Sequence, residues 1–169
     1  RMERPLAEPV APPRLPDGFA LRQVAGDHEA EAWAELFNQS FIDHWNHHPL
    51  TVERLRASWG DPLYRRDLDL VLVSPEGTLA AFCACELDPE DEDGAGWIEV
   101  LGTRRGFRGI GLGRAGLAVG LDALRRAGAR VARLIVDAES PTGATRLYES
   151  AGFVVTRRSV RMARPEESA

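Results

Sequence analysis

Apolar residues in this chain recur with two periods, and the switches between them lay out a run of strands and helices. Residues 18–24 (GFALRQV) alternate as a strand does. Ala30, Trp33, Ala34, Phe37 and Phe41 then fall at steps of three or four, which predicts a helix that Asp27 is placed to cap. A second helix is expected from Thr51 to near Gly60. Residues 68–73 (LDLVLV) and 78–87 (TLAAFCACEL) flank Ser-Pro-Glu-Gly and read as a hairpin. The acidic run 88–94 reads as a solvated loop leading into a strand at 97–103 (WIEVLGT).

The next helix carries Leu117, Leu121 and Leu124 on its buried side, has Arg114, Asp122 and Arg125 on its wet side, and stops at Gly128. A strand at 131–137 follows. Ser140 and Pro141 suit a helix start, Ser as cap and Pro in the first turn. Ala144, Leu147, Tyr148 and Ala151 carry that helix to Gly152, and residues 153–160 close as a strand. The order β-α-α-β-β-β-α-β-α-β fits an α/β domain with a mixed sheet. Residues 1–16, rich in Pro and Arg and without periodicity, read as an extended linker or arm. Residues 17–162 then make the domain and 163–169 a tail, and no internal repeat is visible. The chain opens on Arg rather than Met, which suggests a fragment or processed product.

Composition narrows the class. The chain has 169 residues, 44% of them hydrophobic and 28% charged, as in an ordinary globular domain. No apolar run approaches the roughly 18 to 20 residues a membrane span needs, and no signal peptide is evident, so a cytoplasmic protein is expected. A net charge of −5 argues against nucleic-acid binding. Cys83 and Cys85, one residue apart in an apolar run, read as small buried residues on one face; two cysteines without a second cluster make no zinc site. His44 and His48 stand at i, i+4, but Pro49 follows and no third ligand is spaced for a metal, so none is expected.

The segment Arg108 to Arg114 (RGIGLGR) carries the chemistry. A strand leading through glycines into a helix binds phosphate, because the first amides of the helix are unpaired and glycines let the anion approach the backbone. A triphosphate loop needs Gly-Lys-Ser/Thr, whereas Gly113 is followed by Arg114 and Ala115. Gly111, Gly113 and Gly116 satisfy GxGxxG, with Asp137 where a ribose-binding acid would sit, yet too few strands follow for a dinucleotide fold.

A coenzyme A pyrophosphate site is the remaining reading. Arg108-Gly109-Ile110-Gly111-Leu112-Gly113 is similar to the Arg/Gln-x-x-Gly-x-Gly/Ala signature of the GNAT acetyltransferase superfamily. Val136 to Phe153 resembles that family's later motif, in which a helix carrying Leu-Tyr ends in Gly-Phe. The resemblance implies a mixed, mostly antiparallel central sheet flanked by helices and splayed between its fourth and fifth strands (97–103 and 131–137). It implies acetyl-CoA as co-substrate and attack by a primary amine within a ternary complex.

Carried over residue by residue, the resemblance implies that backbone groups of Leu101, Gly102 and Thr103 hold the pantetheine arm. The family usually has Val where this chain has Thr103. The amides of Arg108, Gly109, Ile110, Gly111, Leu112, Gly113 and Arg114 would cradle the pyrophosphate, with Arg104 or Arg105 reaching the 3′-phosphate. Tyr148 matches the tyrosine that protonates the departing thiolate. Ser140 stands where similar sequences often have Asn contacting the pantetheine. Glu99 is the best general base; alternation puts it on the face of Leu101 and Thr103, opposite Ile98 and Val100.

The segment Phe41 to His48 (FIDHWNHH) is similar to stretches in tandem-domain bacterial acetyltransferases and is expected to shape the amine pocket. The partners implied are a small-molecule or peptide amine, and a second GNAT domain or a second copy in a homodimer. The rival function is a degenerate GNAT domain that binds acyl-CoA or supports a partner domain without catalysis.

Overall fold

In the computed structural model, residues 1–44, 48–137 and 143–159 are described. The strands are β1 (Met2–Pro5), β2 (Ala20–Gln23), β3 (Asp69–Val73), β4 (Leu79–Leu87), β5 (Ala95–Thr103), β6 (Val131–Leu134) and β7 (Val154–Val155). The helices are α1 (Ala30–Phe41), α2 (Val52–Trp59), α3 (Leu112–Arg126) and α4 (Ala144–Ser150). One sheet runs in the order β2-β3-β4-β5-β6-β1-β7. Every pair is antiparallel except β5 with β6. This is the mixed α/β sandwich that the sequence pattern implied.

The helices cover both faces of the sheet because each buries its own stripe. On one face Trp33 of α1 meets Phe82 of β4 at 4.9 Å between ring centroids, and Phe37 and Phe41 extend the aromatic row. The buried Ser40 there is satisfied within its own helix, donating to the Leu36 carbonyl at 2.7 Å. On the other face Leu117, Leu121 and Leu124 of α3 pack with Cys83, Cys85 and Ile98. The two cysteines do share a face, both buried, with their Sγ atoms 3.7 Å apart. Glycine lets α3 lie this close: a Cβ on Gly120 would stand 2.4 Å from the Cys83 Sγ. Gly120→Val is therefore expected to destabilise the fold by about 1–3 kcal/mol through overpacking, read as a lower thermal midpoint.

Five local expectations change. Met2–Pro5 is no free arm but a strand inserted between β6 and β7, with Met2 and Leu6 almost fully buried. Its apolar residues, at positions two and six, show no strand period. Asp27 does not cap α1: its carboxylate takes the Arg56 Nε at 2.8 Å, and residues Asp27–Glu29 form a short 3₁₀ turn. By contrast, the Thr51 hydroxyl does cap α2, accepting from the Arg54 amide. The strand at 131–137 stops at Leu134, and the closing strand is only Val154–Val155. The fourth helix starts at Ala144 after Gly143 (φ 68°), while Ser140 and Pro141 lie outside the described residues.

The acidic loop is not simply solvated. Arg133, buried on β6, holds Asp93 at 2.5 Å, ion-pairs with Asp91 and reaches Glu3 of β1 at 3.1 Å. Arg130 donates to the carbonyls of Glu92 and Asp93. A second unforeseen cluster surrounds Asp69, buried at the start of β3. It accepts from Trp33 Nε1 at 3.2 Å and Tyr64 at 2.9 Å, while burial pushes its carboxyl pKa upward. An acid deep in a core needs such donors.

Candidate functional site

The parallel pair parts early. β5 and β6 are in register only at Ala95–Val131, Gly96–Ala132 and Trp97–Arg133. Among the described residues, no strand lies beside the β6-facing edge of β5 from Ile98 to Thr103. The gap opens into a cleft of about 660 Å³, walled by Ile98–Thr103, by Ile135–Asp137 and by the glycine turn.

That turn is open where the sequence required it to be. Gly109 and Gly111 have φ of 83° and 94°, left-handed conformations that disfavour a side chain. A Cβ built on either would meet no atom within 4 Å. Gly111 forms the N-terminal boundary of α3, and the amides of Leu112, Gly113 and Arg114 have no carbonyl one turn back within the helix. No acid occupies the first turn, so the positive end of the helix faces the cleft uncompensated. The buried Leu112 side chain packs beside Leu72, Ala80 and Ala81 and anchors this end to the sheet. Ile110 is half exposed, and the Arg114 side chain borders a separate depression beside Arg4 and Arg14.

The arginines nearby are already engaged. Arg108 donates to Asp43 at 2.7 Å and to the Ser40 carbonyl at 2.9 Å, tying the end of α1 to the end of β5. Asp43 is held below the usual carboxylate range by that hydrogen bond. Arg104 ion-pairs with Glu35, and Arg105 lies 3.6 Å from Asp43.

Glu99 sits differently from the alternation argument. Ala84 pairs with Val100 but Cys85 pairs with Ile98, so Glu99 is the extra residue of a β-bulge. Leu101 and Ile98 consequently both face α3, near Gly116 and Gly120, although three positions separate them. Glu99 therefore does not share the face of Leu101 through strand alternation. It still borders the cleft, and its pKa is raised, first by desolvation and then by the charge of Glu86. Tyr148 lies across the cleft, its ring edge-on to Phe153 at 5.9 Å. Burial, and secondly the Cys83 thiol, push its phenol up to about 12.

Thr103 directs its hydroxyl toward the start of α3, 3.6 Å from where a Cβ on Gly113 would stand. Gly102 leaves room for Phe82, whose ring would lie 2.4 Å from a Cβ there. Phe41, Asp43, His44 and His48 line the cleft, while Trp45, Asn46 and His47 lie outside the described residues. Among the described residues no group of three or more potential ligands is placed to hold a metal ion. The residues that sequence reasoning passed over here are Ser40 and Phe37 on α1, and Leu147 on α4. Their positions at the C-terminal end of α1 and beside Tyr148 were the available signal.

A parallel strand pair parted over a glycine-lined helix start defines a coenzyme A-dependent acyltransferase fold. The chain belongs to the GNAT acetyltransferase family: the model described as Acetyltransferase (GNAT) family matches residues 30–153. Acetyl-CoA is the donor this family uses. The chain is 38% identical over 156 residues to a mycothiol acetyltransferase of Thermobispora bispora, covering 90% of this chain and 52% of that protein. It is 38% identical over 157 residues to a mycothiol acetyltransferase of Kineococcus radiotolerans, covering 90% of this chain and 49% of that one. The chain thus spans about half the length of the curated relatives it matches.

Among solved structures it resembles a GCN5-related N-acetyltransferase from Sphaerobacter thermophilus, with TM-score 0.76 and 31% identity over 90% of this chain and 46% of that one. The fold is also that of a chain in the NatC complex bound to Gag peptide and CoA, with TM-score 0.67 and 18% identity, covering 83% of this chain and 87% of that one. No helix among the described residues is long and apolar enough to cross a membrane.

Proposed function

We propose that this domain moves an acetyl group from acetyl-CoA to a primary amine by direct attack in a ternary complex, in the cytoplasm. The carrying observation is the strand gap between β5 and β6 ending at an unobstructed glycine turn. When bound, acetyl-CoA supplies a thioester whose acyl carbon an amine can attack. The amides from Arg108 to Arg114 would receive the pyrophosphate, and backbone groups of Leu101, Gly102 and Thr103 would hold the arm leading to the sulfur. Ser140 is retained as a further contact on its motif position.

Two side chains would move protons. Glu99 accepts one from the incoming ammonium, and Tyr148, protonated at neutral pH, gives one to the departing sulfur. The aromatic wall of Phe37 and Phe41, with His44 and His48, would bound the acceptor. Because relatives are named mycothiol acetyltransferases, small-molecule amines come first in the acceptor panel. The test is calorimetric titration with acetyl-CoA followed by thiol release over amines. Binding without turnover on any amine would reject the enzymatic reading.

The Glu99 role has a pH signature. A general base works deprotonated, so kcat/KM should rise with pH through the elevated Glu99 pKa. Glu86 contributes to that elevation by like charge. Glu86→Gln should therefore lower the Glu99 pKa and move the acidic limb of the kcat/KM profile to lower pH. An unmoved limb would remove Glu99 from the mechanism.

A further inference from the structure

The C-terminal end of α1 is short of donors. Its last carbonyls have no amide one turn further on within the helix, and its last turn carries no basic residue to meet the negative end of the dipole. The His44 amide takes the Phe41 carbonyl at 2.8 Å. The Ser40 carbonyl is met from outside the helix, by the Arg108 guanidinium.

The three nitrogens of that group go to three different places. Nη2 donates to the Ser40 carbonyl at 2.9 Å, Nη1 to the Asp43 carboxylate at 2.7 Å, and Nε to the Thr103 carbonyl at 3.4 Å. A planar fork with every nitrogen engaged fixes the relative positions of what it holds. The other Asp43 oxygen lies 3.6 Å from Arg105 Nη1, so one carboxylate spans both ends of the short turn from Arg105 to Arg108. Arg108 meanwhile opens the glycine turn with its own main chain, immediately ahead of Gly109 at φ 83°. One residue thus belongs to both halves of the cleft. Its main chain stands on the donor side, and its side chain holds the α1 end, where Phe37, Phe41 and His44 line the acceptor side.

We propose that Asp43 is a positioning residue: through Arg108 it latches the end of α1 to the glycine turn, so that a donor seated on the turn stiffens the wall against which the amine docks. This rests on the reading of that turn as the acetyl-CoA site. A donor that fixes the main chain of Arg108 fixes the root of its side chain, and the side chain holds both Ser40 and Asp43. Both partners of the ion pair are partly exposed, so the coupling is expected at the low end of the range between sites, about fivefold. A neighbouring pair supplies the control. Glu35, also on α1, ion-pairs with Arg104 just beyond β5, but Arg104 lies outside the glycine turn.

The test is calorimetric titration with acetyl-CoA, then hydrogen exchange over residues 38–44 with and without saturating acetyl-CoA. In the unaltered chain acetyl-CoA should slow that exchange about fivefold. Asp43→Ala should bind acetyl-CoA within about twofold of the unaltered chain yet lose the slowing. Asp43→Glu, a carboxylate on a longer arm, should restore most of it. Glu35→Ala should loosen α1 in the free protein and keep the slowing, which separates a latch from a pair that only supports the fold. A chain that takes up no acetyl-CoA removes the donor site and the latch with it. Binding without slowing overturns the latch and leaves the donor site standing. Slowing that survives in Asp43→Ala overturns it too, since the ligand then protects α1 by direct contact. The same holds for slowing lost equally in Glu35→Ala, or not restored in Asp43→Glu. An Asp43→Ala chain that no longer binds acetyl-CoA places Asp43 on the donor side and also rejects the proposal.

Discussion

Tyr148→Phe is expected to lower turnover by about 10²- to 10⁴-fold, the range lost when a positioned proton donor is removed. Acetyl-CoA affinity should stay within about twofold, because a group needed only as the bond to sulfur breaks contributes little to ground-state binding. The fold should tolerate the change. The ring keeps its edge-on contact with Phe153. The phenol is pushed up to about 12, so it is a donor throughout the neutral range. Steady-state rates beside a binding titration check this. Equal turnover in both proteins would reduce Tyr148 to a core residue.

Gly111→Val should weaken acetyl-CoA binding by about 10- to 100-fold while leaving an assembled fold. The left-handed backbone at φ 94° costs a branched side chain about 1–2 kcal/mol. Its Cβ would collide with nothing in the protein, so the larger loss comes from filling the space through which a phosphate approaches the amides. Gly128→Val is the control. Gly128 has the same φ and equally open surroundings, but lies past the far end of α3, away from the cleft. It should carry the same strain and bind acetyl-CoA normally. If both variants bind alike, the glycine turn does not grip the donor.

Much of the sheet could be read from residue type. LDLVLV and TLAAFCACEL are apolar at nearly every position because both faces of those strands are buried, and the three-four spacing from Ala30 to Phe41 follows burial of one helix face; both are local properties of the sequence. The glycine turn was legible for the same reason, since Gly109 and Gly111 mark backbone that other residues avoid. Glu99 was not. Its orientation depends on how β4 registers against β5 at Ala84 and Cys85, and a bulge inserts a residue without altering the composition of either strand.

Long-range pairing hid the rest. Met2–Pro5 is a strand because β6 and β7 leave room for one, and nothing in its own four residues alternates. The acid run looked solvated because the cation that holds Asp91 and Asp93 stands about forty residues downstream at Arg133. Asp69 gave no sign of being buried beneath Trp33 and Tyr64, since a lone acid at a strand start is ordinary sequence.

Because β5 and β6 separate after a fixed pairing at Trp97 and Arg133, the exposed margin of β5 works as a ruler. Beyond the bulge at Glu99, its residues Val100 to Thr103, at about 3.3 Å each, lay out roughly 13 Å of backbone whose amides and carbonyls recur at a strand's spacing. A flexible chain bearing its own amides can dock along such a margin as another strand would. Reach is then measured in whole residues: zipping β6 up by one pair would shorten the ruler by one division.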